Sequence, residues 1–143
     1  MPFDTISKEY FIKRLVDLCL RSGLSGFPTD EADNHILFKS VILILDKSDV
    51  FTEKEINYKL EYWIRQISHM KNTDHITLRR SLIDAGYLTR NMDGSCYQVS
   101  PLAPGSKYFD DTIEKIDIIQ VIKTAQEEID RRKRAYMENT SIR

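Results

Sequence analysis

An arginine guanidinium is a flat fork of donors that can place two parallel hydrogen bonds on one pair of acceptors, and neighbouring hydroxyls can add single bonds. The chain carries such a group at Thr77, Arg79, Arg80 and Ser81. Projected on a helix at about 100° per residue, with Leu78 at the centre of the buried face, Thr73, Thr77, Arg80, Ser81 and Asp84 fall on the opposite side. On such an edge Arg80 has the geometry to reach O6 and N7 of a guanine in a major groove. Thr77 and Ser81 are placed to contact bases or phosphates. Arg79 belongs to the same contact set by type. Its angle, near Ile76 and Ile83 on a flank, equally suits a carboxylate on a neighbouring helix.

Other chemistry finds little support. His69 and His75 straddle an expected turn, with His35, Cys19 and Cys96 far away in sequence, so no metal-ligand spacing is formed. No Gly-x-Ser-x-Gly elbow, phosphate loop or Gly-x-Gly-x-x-Gly turn is present to position a catalytic group or a cofactor. The expectation is therefore a protein that is not an enzyme, with no catalytic residue, metal or cofactor. The charge balance cuts against phosphate binding: the net charge is −1, and Thr73 to Val99 holds Arg79, Arg80 and Arg90 against Asp74, Asp84 and Asp93. Phosphate contacts must come from local groups such as Lys54, Lys71 and Arg90. The run Arg131 to Arg134 is better read as a solvated helix face, since Glu127, Glu128 and Asp130 stand four residues ahead of Arg131, Arg132 and Arg134.

The elements that must hold these groups follow from caps and periodicity. Ile6, Ser7 and Phe11 form a staple and cap opening a helix over Lys8 to Ser22, which Gly23 stops. Ile36 to Leu45 is apolar nearly all round and reads as a buried helix. Thr52-x-x-Glu55 is a capping box, with Phe51 and Ile56 as its staple. The helix it starts buries Ile56, Leu60, Trp63, Ile64 and Ile67, and Ser68 to Asn72 reads as a turn. A helix opening at Thr73 or Asp74 buries Leu78, Leu82 and Ala85 and ends at Gly86, with Tyr87 folding back. Tyr87 to Arg90 and Ser95 to Val99 are strands about Asn91-Met92-Asp93-Gly94, where Asp-Gly supplies positive dihedrals. Pro101, Pro104 and Gly105 break regular structure. Ile116, Asp117, Gln120 and Val121 then open a final helix of roughly twenty residues. Its stripe of Ile118, Ile122, Ala125, Ile129 and Tyr136, interrupted by Arg132, suits packing on its own domain or pairing in a two-fold dimer. Asn57, at the border of its helix's core face, reads as a structural bridge to backbone. Tyr58 and Tyr62 read as surface cover.

Phe51-Thr52-Glu53-Lys54-Glu55-Ile56-Asn57 with Leu60, followed by Asp74 to Asp84 and then Gly86, Leu88, Arg90, Gly94 and Tyr97, resembles the bacterial domain-of-unknown-function family twenty-eighty-seven. The resemblance implies a winged-helix fold and a role in transcriptional regulation, and it brings no catalytic residue. Glu61 to Thr73 is longer than this family pattern, which leaves the angle between the two helices open.

The expected fold is thus mostly α with a small β-hairpin. It is a winged helix-turn-helix over 29–100 with an N-terminal helical extension over 1–28 and a linker and long C-terminal helix over 101–143, all one domain. The expected function is a DNA-binding transcriptional regulator that contacts duplex DNA through Lys54, Thr77, Arg79, Arg80, Ser81 and Arg90 and dimerises through the C-terminal stripe. The alternative is a protein-interaction module on the same scaffold. Two isolated cysteines and the absence of a signal-peptide pattern in Met1 to Arg14 point to the cytoplasm. Val41 to Leu45, the longest apolar run, is too short for a membrane span. The sequence names no small-molecule effector.

Overall fold

The computed structural model describes residues 5–101 and 108–141, with side chains through 139. The chain is mostly helical, with a three-stranded antiparallel sheet and a long C-terminal helix. The Ser7 hydroxyl accepts from Tyr10 N and starts α1, Lys8–Val16, which runs on through wider turns to Arg21. Asp30 caps α2, Glu31–Ile42. Then come β1, Phe51–Thr52; α3, Glu53–Tyr62, extended by wide turns to Ser68; and α4, His75–Asp84. The strands β2, Leu88–Arg90, and β3, Cys96–Val99, form the hairpin. A 3-10 turn, Asp111–Lys115, precedes α5, Ile118–Ser141. Pro104 and Gly105 lie outside the described residues.

The all-round apolar pattern of α2 has its expected result: every residue from Ile36 to Ile42 is buried. Two of its buried polar groups are charged, Asp33 and Lys39, and each has a partner. Arg14 on α1 places both arms of its fork on Asp33 at 2.8 Å, which also raises the guanidinium pKa. Lys39 and Lys47 share the Glu114 carboxylate of the 3-10 turn, 2.5 and 2.6 Å away, and this pairing holds Glu114 ionised below its ordinary pKa against the cost of burial. The Trp63 indole N–H donates to Ser40 Oγ at 2.8 Å, and that hydroxyl donates to Leu37 O. Phe11 and Leu15 of α1 are fully buried in the same core, so the N-terminal extension is one of its walls. The chain after the hairpin is tied in where Ile6 pairs with Phe109 and the Phe11 and Phe109 rings meet edge to face at 5.7 Å.

The structure departs from the sequence pattern at β1, at the end of α3 and in the hairpin. Phe51–Thr52 is both the staple-and-cap and a strand, pairing with Tyr97 and Cys96 in a sheet of order β1-β3-β2. Two residues are too few to show an alternating pattern. Ser68 belongs to the helix, fully buried, and the turn begins at His69, whose φ of 57° closes the helix left-handed without glycine. In the hairpin only Gly94, at φ 77°, takes a positive dihedral, and Asp93 does not.

Candidate nucleic-acid interface

The site is built around α4. The Asp74 carboxylate accepts from Thr77 N at 2.8 Å, which starts the helix and keeps that acid ionised below its ordinary pKa. Leu78 and Leu82 are fully buried. At the far end Gly86, at φ 84°, lets Tyr87 N reach Leu82 O at 2.9 Å and Gly86 N reach Ile83 O at 3.1 Å, a Schellman closure that turns the chain into β2. A polar seam fixes α4 against α3. Glu53, Asn57 and Glu61 succeed one another at four-residue spacing on α3. Arg79 donates to Asn57 Oδ1 at 2.5 Å and lies 3.6 Å from Glu53, while His75 Nδ1 is 3.0 Å from Glu61.

Arg79 is therefore engaged inside the seam, its side chain 15% exposed, and takes the inter-helix pairing instead of joining the outer edge. Asn57 bridges to this side chain and not to backbone. Thr77, Arg80 and Asp84 are exposed, Ser81 is half-buried, and Ile76 beside them is 44% exposed. Thr73 does not share this edge, because α4 begins two residues later and Thr73 is buried, its hydroxyl facing Gly26. Among the described residues Arg80 is in no ion pair, and the pairing with Asp84 one turn on does not form.

Next to this edge the hairpin is braced from within. Asn91 Oδ1 accepts from Cys96 N at 3.0 Å, and the Asp93 carboxylate accepts from Ser95 N and Oγ, which lowers its pKa. Arg90 lies across Gly94, and a Cβ there would sit 2.3 Å from the guanidinium. Arg90 and Arg79 both stand over the Tyr97 ring, at 6.0 and 5.3 Å from its centroid. Sequence reasoning missed this pairing of two arginines on one aromatic, since positions 79, 90 and 97 meet only through the sheet. At the tip Met92 is fully exposed.

Lys54 is exposed in the first turn of α3, flanked by Glu53 and Glu55. Tyr58 is exposed and Tyr62 half-buried. The expected dimer stripe divides. Ile118 and Ile122 are buried in the chain's own core and are unavailable to a partner, Ala125 and Ile129 are half-buried, and Tyr136 is 72% exposed on a projecting half of α5. On that half Arg131 and Arg132 both pair with Glu128, while Asp130 accepts from Gln126. Among the described residues no three His, Cys, Asp or Glu side chains group so as to hold a metal ion. His35 is tucked between Tyr87 and Tyr108, its Nδ1 2.7 Å from the Tyr87 hydroxyl. Among the described residues no helix is long and apolar enough to cross a membrane.

This arrangement offers exposed donors on a helix edge seated against α3, beside an internally braced hairpin. No curated protein and no solved structure matches the chain. A family model matches residues 23–99, which takes in α2 to β3 with the seam, the edge and the hairpin. With more than half of its length matched, the chain belongs to domain-of-unknown-function family 2087, described as an uncharacterized protein conserved in bacteria.

Proposed function

We propose that residues 29–100 form a winged helix-turn-helix and that the protein is a DNA-binding transcriptional regulator. The order of α2, β1, α3, α4 and the β2–β3 hairpin, with β1 paired to β3, supports the fold reading. The observation that carries the DNA reading is Arg80, exposed and free of any ion pair among the described residues on the outward edge of α4. In this mechanism α4 enters a major groove, Arg80 meets a guanine edge, and Thr77 and Ser81 add contacts. Arg90, held in place by Gly94 and Tyr97, meets a phosphate. Arg79 acts indirectly by fixing the angle of α4. The projecting half of α5, with Ile129 and Tyr136, is where a second copy pairs.

The test is fluorescence anisotropy on a labelled random duplex across a salt series. The expected result is binding that weakens steeply with salt. Arg80→Ala should weaken binding to a selected sequence by about 1–3 kcal/mol, and Arg90→Ala should reduce the salt slope by about one. No binding at low salt by a folded protein would contradict the reading. It would favour a protein-interaction module, for which the acids Asp74, Asp84 and Asp93 around the edge speak.

A further inference from the structure

Between α2, the 3-10 turn and the end of β3 lies a cavity of about 300 Å³, whose described walls take nothing from α4. Ile42, Val99 and Pro101 make it apolar on one side, and Lys39, Lys47 and Glu114 meet on the other. Lys39 is the unusual member. Its side chain is only 4% exposed, yet among the described residues its ammonium has one hydrogen-bond acceptor, Glu114 Oε1, for three N–H donors. The Phe109 ring, 5.8 Å from Nζ, covers part of that ammonium and is a weak acceptor. Burying a charge is costly unless its remaining donors are met. Glu114 cannot meet them, because its second oxygen is taken by Lys47 at 2.6 Å.

Charge is left over as well. Two ammonium groups share one carboxylate, and no second acid stands among the described residues of the walls. Asp46, next to Lys47 in the chain, turns its carboxylate onto Ser48 and does not line the cavity. An oxygen acceptor carrying one negative charge would satisfy the spare donors and the surplus charge together. A phosphate, at about −1.5 to −2 near neutral pH, would overshoot it, and the apolar walls suit a short hydrocarbon tail. We propose that this cavity binds a short-chain monocarboxylate, its carboxylate completing the shell of Lys39 and Lys47 and its tail against Ile42, Val99 and Pro101. Because Val99 ends β3, a bound acid would tie the base of the hairpin to α2. The inference stands whether or not α4 meets nucleic acid.

Thermal unfolding of the full chain at constant ionic strength, titrated with butyrate, tests it, with butanamide as the uncharged control and inorganic phosphate as the more highly charged one. Butyrate raises the midpoint saturably, and the two controls do not. Lys47→Ala, at a side chain 58% exposed, weakens butyrate about fivefold. Lys39→Met removes the response; should that variant fail to fold, Lys47→Ala decides alone. In the native protein butyrate moves the amide shifts of Lys47, Val99 and Ser100 and leaves residues 76–84 in place. No saturable response to butyrate, an equal response to butanamide, an affinity untouched by Lys47→Ala, or shifts confined to other residues overturns the proposal. So does a saturable response to phosphate that matches butyrate, which would assign the cavity to a phosphate group.

Discussion

Arg79 and Arg80 are neighbours in sequence with opposite surroundings. One is held by Asn57, Glu53 and the Tyr97 ring, and the other is exposed. The 100° step of the helix, about the value for any α-helix, produces this division. Replacing Arg79 removes a nearly buried, charge-assisted bond, so Arg79→Met should lower stability by about 2 kcal/mol. Arg80→Ala should stay within about 0.5 kcal/mol. Urea unfolding of both variants checks the contrast, and equal losses would contradict it. Gly94 is constrained by its backbone and by a neighbouring side chain. At φ 77° and with a Cβ colliding with Arg90, Gly94→Ala should cost at least about 1 kcal/mol and displace that guanidinium. The same urea experiment reads the cost. The cysteines differ by burial. Desolvation pushes the Cys19 thiol up to about 12, while Cys96 is partly exposed. An aromatic disulfide reagent at neutral pH should therefore label one thiol in the folded protein and the second only on unfolding.

At the scale of elements, the parts legible in the sequence are those fixed within a few residues. The Thr52–Glu55 box, the Asp74 and Asp117 caps and the Gly86 closure all form where their local patterns place them. Each is a side chain or glycine meeting backbone groups one turn away, so no tertiary information is needed. The parts that could not be read depend on distant partners. β1 exists only because β3 lies beside it. The wide turns ending α1 and α3 leave no pattern in side-chain type, and His69 takes a left-handed conformation that sequence assigns to glycine or asparagine. For the site, the edge residues Thr77 and Arg80 follow from periodicity. Thr73 does not, because the helix starts after it. The meeting of Arg79, Arg90 and Tyr97 needs the sheet. The local elements also permit a direct estimate: Thr52→Ala should cost about 1 kcal/mol in unfolding free energy, with retention of full stability the contrary result.

Across the whole molecule, α2 is the axis on which the other parts are assembled, and its polar residues do the tying. Arg14 joins it to α1, Glu114 to the turn before α5, and His35 to Tyr87 at the end of α4 and to Tyr108. Burial lowers the His35 pKa despite Glu31 one turn away, so the folded state resists a proton that the unfolded chain accepts. With more protons bound in the unfolded state, stability falls as pH drops through the ordinary histidine range, from about 7 toward about 5. This acid-side slope should flatten in His35→Phe when stability is followed against pH, and an unchanged slope would assign it to other groups. The same assembly leaves the outer edge of α4 and the hairpin facing away from the core, where a duplex would meet them. Mapping amide chemical shifts of the labelled protein as duplex DNA is added at low salt addresses this directly. Shifts should concentrate in residues 76–84 and 90–95, with α1 and α2 unmoved; an intact spectrum that ignores DNA, or responds only along α1 and α5, would contradict a DNA-reading α4 edge.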